Sequence, residues 1–148
     1  MYPEPERRDD PEVATTAAAA CPGVYSIDLQ IVDVFLRTTN LHAKVVVADA
    51  PLVASGRPLR AAKLSFAGVV ATVIDRNPLS TGSELRASID WGDGHRSAAR
   101  VSALRAGTFV LTCRHHYARP RRYSVVIRVA DVGGSKAIAR STIVAVRN

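Results

Sequence analysis

Strict alternation of apolar and polar residues, closed by a glycine-flanked turn, is the feature that most restricts how this chain can fold. Between residues 85 and 91 the odd positions are Leu, Ala, Ile and Trp, and the even positions are Arg, Ser and Asp. Successive side chains of a β-strand point to opposite faces, so this segment predicts a strand with one buried face and with Trp91 in the core. Gly92, Asp93 and Gly94 then predict a tight turn, because glycine permits positive φ and aspartate accepts hydrogen bonds from its own turn.

The same period of two continues through most of the chain after residue 60. Residues 123–129 carry a second apolar stripe, and residues 137–146 form another strand beyond the glycine pair at 133 and 134, so the two strands predict a hairpin. No segment shows sustained helical periodicity, and the pattern predicts an all-β fold. A bulge or bend is predicted at Gly68 and a loop over residues 75–82. Shorter strand segments are predicted at residues 63–66, 69–74, 101–104 and 108–113.

Length and composition favour one folded domain with additional segments. The 148 residues, 47% hydrophobic and 22% charged, suffice for one sandwich of about 100 residues with a packed core. The best candidate for a membrane span, residues 45–53, is interrupted by Asp49 and Pro51, so no transmembrane segment is expected. Residues 1–21 are expected to form a disordered tail, which lacks the basic start and apolar core of a secretory signal.

A partial internal repeat divides the chain further. Residues 25–34 align with residues 123–132 at an offset of 98, which is the size of one β-sandwich domain. Residues 22–48 are therefore interpreted as the terminal β-hairpin of a preceding unit, and residues 49–148 as the sandwich domain. The alternative is chance similarity, since β-hairpins share simple patterns. An orphan hairpin exposes unpaired strand edges, which predicts self-association or another protein partner.

A set of glycine, aspartate and aromatic residues carries a resemblance to a known family. The turn at residues 91–94 is followed by a His-Tyr pair, then by a strand that a tyrosine leads, and then by a hairpin with an aspartate and two glycines. The succession resembles the PKD-domain family, and Asp49-Ala50-Pro51-Leu52 is similar to the start of each tandem unit in large repetitive bacterial surface proteins. The residues concerned are Trp91, Gly92, Asp93, Gly94, His116, Tyr117, Tyr123, Asp131, Gly133 and Gly134.

The resemblance covers residues 49–146 and implies an immunoglobulin-like two-sheet sandwich of about seven strands with Greek-key connections. It implies a non-enzymatic spacer, adhesion or protein-interaction unit of a secreted or cell-surface protein, with an accessory domain of a secreted hydrolase as an alternative. In such a sandwich Trp91 packs between the sheets. Tyr117 and Tyr123 bury their rings while their hydroxyl groups bond to the backbone at a sheet corner.

Arginine dominates the basic residues of this chain, whose net charge is +7. A group of four arginines surrounds the histidines at 115 and 116, and such a group predicts a patch for phosphate, sulfate or carboxylate partners such as an acidic glycan. The competing interpretation is a solvated loop between strands, because no aromatic platform for nucleic acid accompanies the charges. The four residues are Arg114, Arg119, Arg121 and Arg122.

The motifs of common catalytic sites are missing from the sequence, so no catalytic residue is predicted. No phosphate-binding Gly-x-x-x-x-Gly-Lys loop, no His-Glu-x-x-His and no Gly-x-Ser-x-Gly occurs. Metal-binding side chains also occur at His95, Cys113, His115 and His116. Adjacent strand residues point to opposite faces, so His115 and His116 cannot both face one ion, and no metal site is predicted there.

Oxygen-bearing side chains leave a structural calcium ion as an alternative. Asp75, Asn77 and Asp90 are the candidate ligands, although their spacing matches no dedicated calcium loop and Asp93 is already needed for its turn. The two cysteines, Cys21 and Cys113, can form one disulfide in an oxidising compartment, and the sequence leaves this open.

Overall fold

A computed structural model of the chain describes residues 22–147, so the predicted tail at 1–21 lies outside the described residues. The described part contains eleven β-strands and no helix, and hence no helix long and apolar enough to cross a membrane. The strands are β1 (Gly23–Val32), β2 (Thr38–Val47), β3 (Leu52–Gly56), β4 (Leu59–Ala61), β5 (Ser65–Asp75), β6 (Leu85–Asp90), β7 (Arg96–Ala98), β8 (Arg100–Arg105), β9 (Thr108–His116), β10 (Arg122–Asp131) and β11 (Lys136–Ala145).

Nine of these strands form two packed sheets, which confirms the predicted all-β sandwich. One sheet has the order β4-β11-β10-β6-β7 and the other β3-β5-β9-β8. Consecutive strands such as β5 and β6, or β9 and β10, belong to different sheets, as expected for Greek-key connections. The two strands beyond the expected seven, β4 and β7, have three residues each.

The core lies between the sheets and consists of the inward-facing residues of both. In β6 and β10 every second residue is buried, which confirms the alternation predicted for these segments. Trp91 is fully buried directly after β6, as predicted. The largest fully buried side chains are Trp91, Tyr117, Phe109, Ile89, Leu111, Ile127, Ile143, Val70, Val73 and Val125.

The two strand segments predicted on either side of Gly68 belong to one strand, β5, except that residues 63 and 64 lie in the turn before it. Its pairing with β9 shifts register between Val69 and Ala71, so Val70 is the additional residue of a β-bulge. The predicted irregularity therefore exists, but it lies two residues after the glycine. The bulge turns both Val70 and Ala71 into the core, where they are fully buried.

Strands β1 and β2 form a separate two-stranded hairpin outside both sheets. They pair with each other along their whole length, and the side chains of both strands remain largely exposed. One face is apolar, with Tyr25, Ile27 and Leu29 on β1 opposite Val45, Ala43 and Leu41 on β2. The other face is polar, with pairs such as Asp28 and His42 or Gln30 and Asn40. The hairpin thus presents an apolar face that no strand of the sandwich covers.

Candidate functional site

The turn after β6 is held by two aspartates that accept hydrogen bonds from the backbone. The N–H of Gly92 donates to Asp90 Oδ1 (3.1 Å), and the N–H of His95 donates to Asp93 Oδ1 (3.0 Å). Gly92 has φ of +74°, and a Cβ atom at this position would lie 2.3 Å from the carbonyl oxygen of Ser124. Both the conformation and the close approach therefore require glycine here.

Trp91 holds the two sheets together at this turn. Its ring lies parallel to the His115 ring, with centroids 4.6 Å apart, and meets the Tyr117 ring edge-on at 6.4 Å. The indole Nε1–H donates to Ser97 Oγ (2.8 Å), so the one polar atom of the buried ring has a partner. His115 and Tyr117 come from β9 and the residue after it, so the aromatic cluster joins residues of both sheets.

A carboxylate and two imidazoles meet beside the indole. His115 Nε2 lies 2.7 Å from Asp93 Oδ2, and both side chains are nearly buried, with 12% and 11% of their surface exposed. His95 Nδ1 lies 3.4 Å from Asp93 Oδ1, and its side chain is 75% exposed. Burial alone raises the pKa of Asp93, but the hydrogen bonds with the His115 ring and the His95 N–H outweigh it, so the pKa lies below its ordinary value.

Two tyrosines extend the cluster into the loop before β10. The Tyr117 hydroxyl donates to the carbonyl of Trp91 (3.3 Å), and the Tyr123 hydroxyl donates to the carbonyl of Arg119 (2.9 Å). Their rings stack at 4.2 Å, and the Arg121 guanidinium lies 4.6 Å from the centre of the Tyr123 ring. Burial, reinforced by the negative charge of Asp93, raises the pKa of Tyr117, which keeps this hydroxyl protonated as a donor.

His115, rather than His116, belongs to this cluster. His116 is one of the residues that carry the family resemblance, but it is exposed, and its neighbour His115 contacts Trp91 and Asp93. Alternation along β9 carries the signal that identifies His115, because Phe109 and Leu111 are buried at odd positions and His115 continues that face.

The arginines of the predicted polyanion patch are all exposed. Arg114 lies near the end of β9, Arg122 begins β10, and the other two lie in the loop between these strands. Cys113, also on β9, carries a free thiol whose Sγ lies 3.3 Å from Ser97 Oγ. The other cysteine, Cys21, lies outside the described residues.

The calcium candidates do not lie together. Asp75 and Asn77 line a cavity of about 490 Å³, with Asp49, Glu84 and Asp131 on its other walls. Asp90 lies at the opposite end of β6, roughly 17 Å from the start of that strand at about 3.3 Å per residue, and it binds Arg96 instead (Nε to Oδ2, 3.0 Å). The three candidate residues therefore cannot bind one ion together.

The carboxylates of this cavity repel each other. Burial is the largest cause of the raised pKa of Asp131, and the negative charges of Asp49 and Asp75 raise it further, against the hydrogen bonds that Asp131 accepts from the backbone of its turn. Asp49 Oδ2 accepts a hydrogen bond from the N–H of Ser135 (2.7 Å), which holds it against that turn.

Several solved structures match part of this chain. The chain is similar to PKD domains. The PKD domain of an M14-like peptidase from a Thermoplasmatales archaeon is 17% identical, with a TM-score of 0.44 and coverage of 66% of this chain and 98% of that one. The PKD1 domain of Vibrio anguillarum Epp is 19% identical, with a TM-score of 0.33 and coverage of 53% and 88%. Extracellular cadherin domains 3–6 of protocadherin gamma B2 are 14% identical, with a TM-score of 0.39 and coverage of 82% and 31%.

No protein-family model matches the sequence, and no match is found among curated proteins.

The sandwich carries opposite charges at its two ends. Asp131 ends β10 beside the acidic cavity, and Arg122 begins the same strand beside the exposed arginines. A strand of this length separates the two groups by about 30 Å at 3.3 Å per residue. The chain enters the sandwich at the acidic end through Asp49, and it leaves at the basic end, where the N–H of Ala145 donates to the carbonyl of Arg121 (2.9 Å).

Proposed function

We propose that this chain is a non-enzymatic structural module, a spacer and protein-interaction unit of a repetitive secreted or cell-surface protein. The single observation that carries the proposal is the duplicated hairpin. Nine of the ten register pairs of β1 and β2 fall on register pairs of β10 and β11 at the offset of 98 residues, for example Leu29 with Leu41 on Ile127 with Ala139. One copy is packed in the sandwich, and the other carries the same kind of apolar face without a covering sheet.

The difference between the two ends of the sandwich supports the spacer role. Chain entry and chain exit lie at opposite ends, which suits a string of modules joined end to end. Because the chain enters at the acidic end and leaves at the basic end, the basic end of one module meets the acidic end of the next. This complementary charge favours head-to-tail contact over contact between like ends.

The apolar hairpin face is proposed to bind a second copy of this chain. An isolated two-stranded hairpin is marginally stable in water, and its apolar side chains gain free energy when another apolar surface covers them. The identical face of a second copy supplies such a surface, with the two hairpins packed face to face as two small sheets. This association is the partner interaction that we propose for residues 22–48.

Two double-lysine variants test the association in the 148-residue chain. Leu29→Lys with Leu41→Lys places two charges on the apolar face, and Gln30→Lys with Asn40→Lys places the same two charges on the polar face of the same hairpin. Light scattering over a range of concentrations is expected to show dimers for the wild type and for the polar-face control, and monomers for the apolar-face variant. A wild-type chain that stays monomeric at all concentrations, or equal loss in both variants, contradicts the proposal.

A polyanion-binding module is the second candidate, because all four arginines of the predicted patch are exposed at one end of the sandwich. Binding of a sulfated glycan that weakens steeply with salt and is lost on replacing Arg119, Arg121 and Arg122 by alanine would favour it.

A further inference from the structure

The turn after β6 and strand β9 bring three metal-binding side chains to one point. Asp93 and His95 belong to the turn, and His115 belongs to the opposite sheet. One ligand atom from each, a carboxylate oxygen and two imidazole nitrogens, lies within 4.8 Å of the other two. Among the described residues this is the one place where three such groups converge.

The spacing of these atoms suits a tetrahedral ion. Zinc binds imidazole nitrogen and carboxylate oxygen at about 2.0–2.2 Å, which places ligand atoms of a tetrahedral site roughly 3.3 Å apart. Asp93 Oδ2 lies 2.7 Å from His115 Nε2, and the other oxygen, Oδ1, lies 3.4 Å from His95 Nδ1. Each imidazole nitrogen therefore has one carboxylate oxygen within about 0.6 Å of that spacing. The His95 side chain is 75% exposed, so its position is less restricted than those of the other two ligands.

The surroundings hold two of the three ligands in position. The His115 ring is stacked on Trp91 and meets the Tyr117 ring edge-on at 4.5 Å, which fixes its plane. Asp93 is fixed by the hydrogen bond that it accepts from the N–H of His95. Packing and hydrogen bonds of this kind orient ligands before an ion binds, and the third ligand closes over it from the solvent side.

We propose that Asp93, His95 and His115 form a binding site for a divalent transition-metal ion of the zinc class. With three protein ligands, the remaining position is left for water or for a side chain of a partner. The ion ties the β6–β7 turn to β9 and so links the two sheets at the basic end of the sandwich. Such a site goes beyond the spacer function and does not depend on it.

The only tryptophan of the chain provides the measurement. The His115 ring stacks on Trp91, so a Co²⁺ ion bound to His115 is close to the indole. Binding of Co²⁺ is therefore expected to quench the tryptophan fluorescence of the folded, tag-free chain. Quenching should saturate at one ion per chain, and Zn²⁺ should reverse it by competition. Quenching that does not saturate, or that Zn²⁺ leaves unchanged, overturns the proposal.

Two variants make the test specific. His95→Ala removes an exposed ligand without changing the core and is expected to weaken Co²⁺ and Zn²⁺ binding at least about tenfold. His116→Ala removes the exposed histidine next to His115 and should bind like the wild type. Zn²⁺ should also raise the Tm of the wild type and of His116→Ala more than that of His95→Ala. Equal affinity of the wild type and His95→Ala, or equal loss in both variants, contradicts the site.

His42→Ala controls for adventitious binding at the other histidine–carboxylate pair. His42 Nδ1 lies 2.5 Å from Asp28 Oδ1 in the hairpin, where both side chains are exposed. This variant should keep both the quenching and the Zn²⁺-dependent gain in Tm. Loss of either effect in His42→Ala assigns the ion to the hairpin and overturns the proposed site.

Discussion

The two hairpins of this chain have the same register and opposite environments. Tyr25 pairs with Val45 in the first hairpin, and Tyr123 pairs with Ile143 in the second, 98 residues later. In the second hairpin the inward-facing residues of β10 are almost completely buried, whereas the corresponding residues of β1 are exposed. The alternating pattern therefore specifies strand pairing and the apolar face, but burial requires the second sheet of a sandwich.

The turns of the two hairpins also have matching geometry but differ in one residue. Asp33 accepts hydrogen bonds from the backbone N–H of Arg37 (2.9 Å), as Asp131 does from that of Ser135 (2.9 Å). The fourth residue of each turn has positive φ, +61° at Leu36 and +106° at Gly134. Leucine is strained in this region and glycine is not, so the second turn suits its conformation better than the first.

Truncation of one equivalent residue in each hairpin should give the largest difference. Ile127 is 0% exposed and Leu29 is 41% exposed. Ile127→Ala is expected to lower the free energy of unfolding by about 2–5 kcal/mol, because it removes a buried side chain and leaves a cavity. Leu29→Ala should change the unfolding of the sandwich by less than about 0.5 kcal/mol.

Chemical denaturation at low protein concentration, monitored by Trp91 fluorescence, measures both variants without the contribution of association. A large loss in Leu29→Ala under these conditions would mean that the first hairpin is packed on the sandwich, and the contrast between the two hairpins would then be wrong.

The leading tyrosines give a smaller and more specific contrast. Tyr123→Phe keeps the buried ring but removes the hydroxyl that donates to the Arg119 carbonyl, and the expected loss is about 1 kcal/mol. Tyr25→Phe should leave the unfolding midpoint of the sandwich unchanged, because the first hairpin is not part of its core. Equal losses in the same denaturation experiment would show that the tyrosine acts within the hairpin itself rather than at the sheet corner.

Much of this fold is predictable from the sequence because it depends on local periodicity. Alternation identifies β6 and β10 with their buried faces, and the glycines around Asp93 identify the turn beside Trp91. The offset of 98 residues identifies the repeated hairpin, since both copies contain the full pattern of one strand pair. Neither the interpretation of residues 22–48 as part of a preceding unit nor the role of the motif residues follows from periodicity alone, and both stay predictions.

Features that depend on contacts between the sheets could not be predicted in this way. Strand β4 exists because it pairs in parallel with β11, and its three residues carry no alternation of useful length. The approach of His115 to Asp93 joins residues from two sheets, and the acidic cavity gathers residues separated by more than eighty positions. Burial assigned from alternation along β9 would have identified His115, but not its partner.

The aspartates that begin the two hairpin turns, Asp33 and Asp131, should have pKa values on opposite sides of the ordinary aspartate value. Hydrogen bonds from the Arg37 backbone, and the Arg37 side chain itself, lower the pKa of Asp33. Burial, with the charges of Asp49 and Asp75, raises the pKa of Asp131. Titration of the side-chain carboxyl carbons by NMR should therefore give a midpoint below 3.8 for Asp33 and above 3.8 for Asp131.

The opposite pKa shifts of Asp131 and Asp33 predict opposite pH dependences of the stability that each residue contributes. A raised folded-state pKa means that Asp131 contributes stability below its unfolded pKa and that this contribution is lost as the pH rises through the folded value. Asp131→Asn keeps an acceptor for the turn and removes the charge, so it should raise the Tm at neutral pH, and the gain should disappear below about pH 3. The lowered pKa of Asp33 means that its contribution is present above its unfolded pKa and is lost on acidification, so Asp33→Asn should give no gain at neutral pH. A gain in both variants would show that the surroundings of each turn do not set the difference.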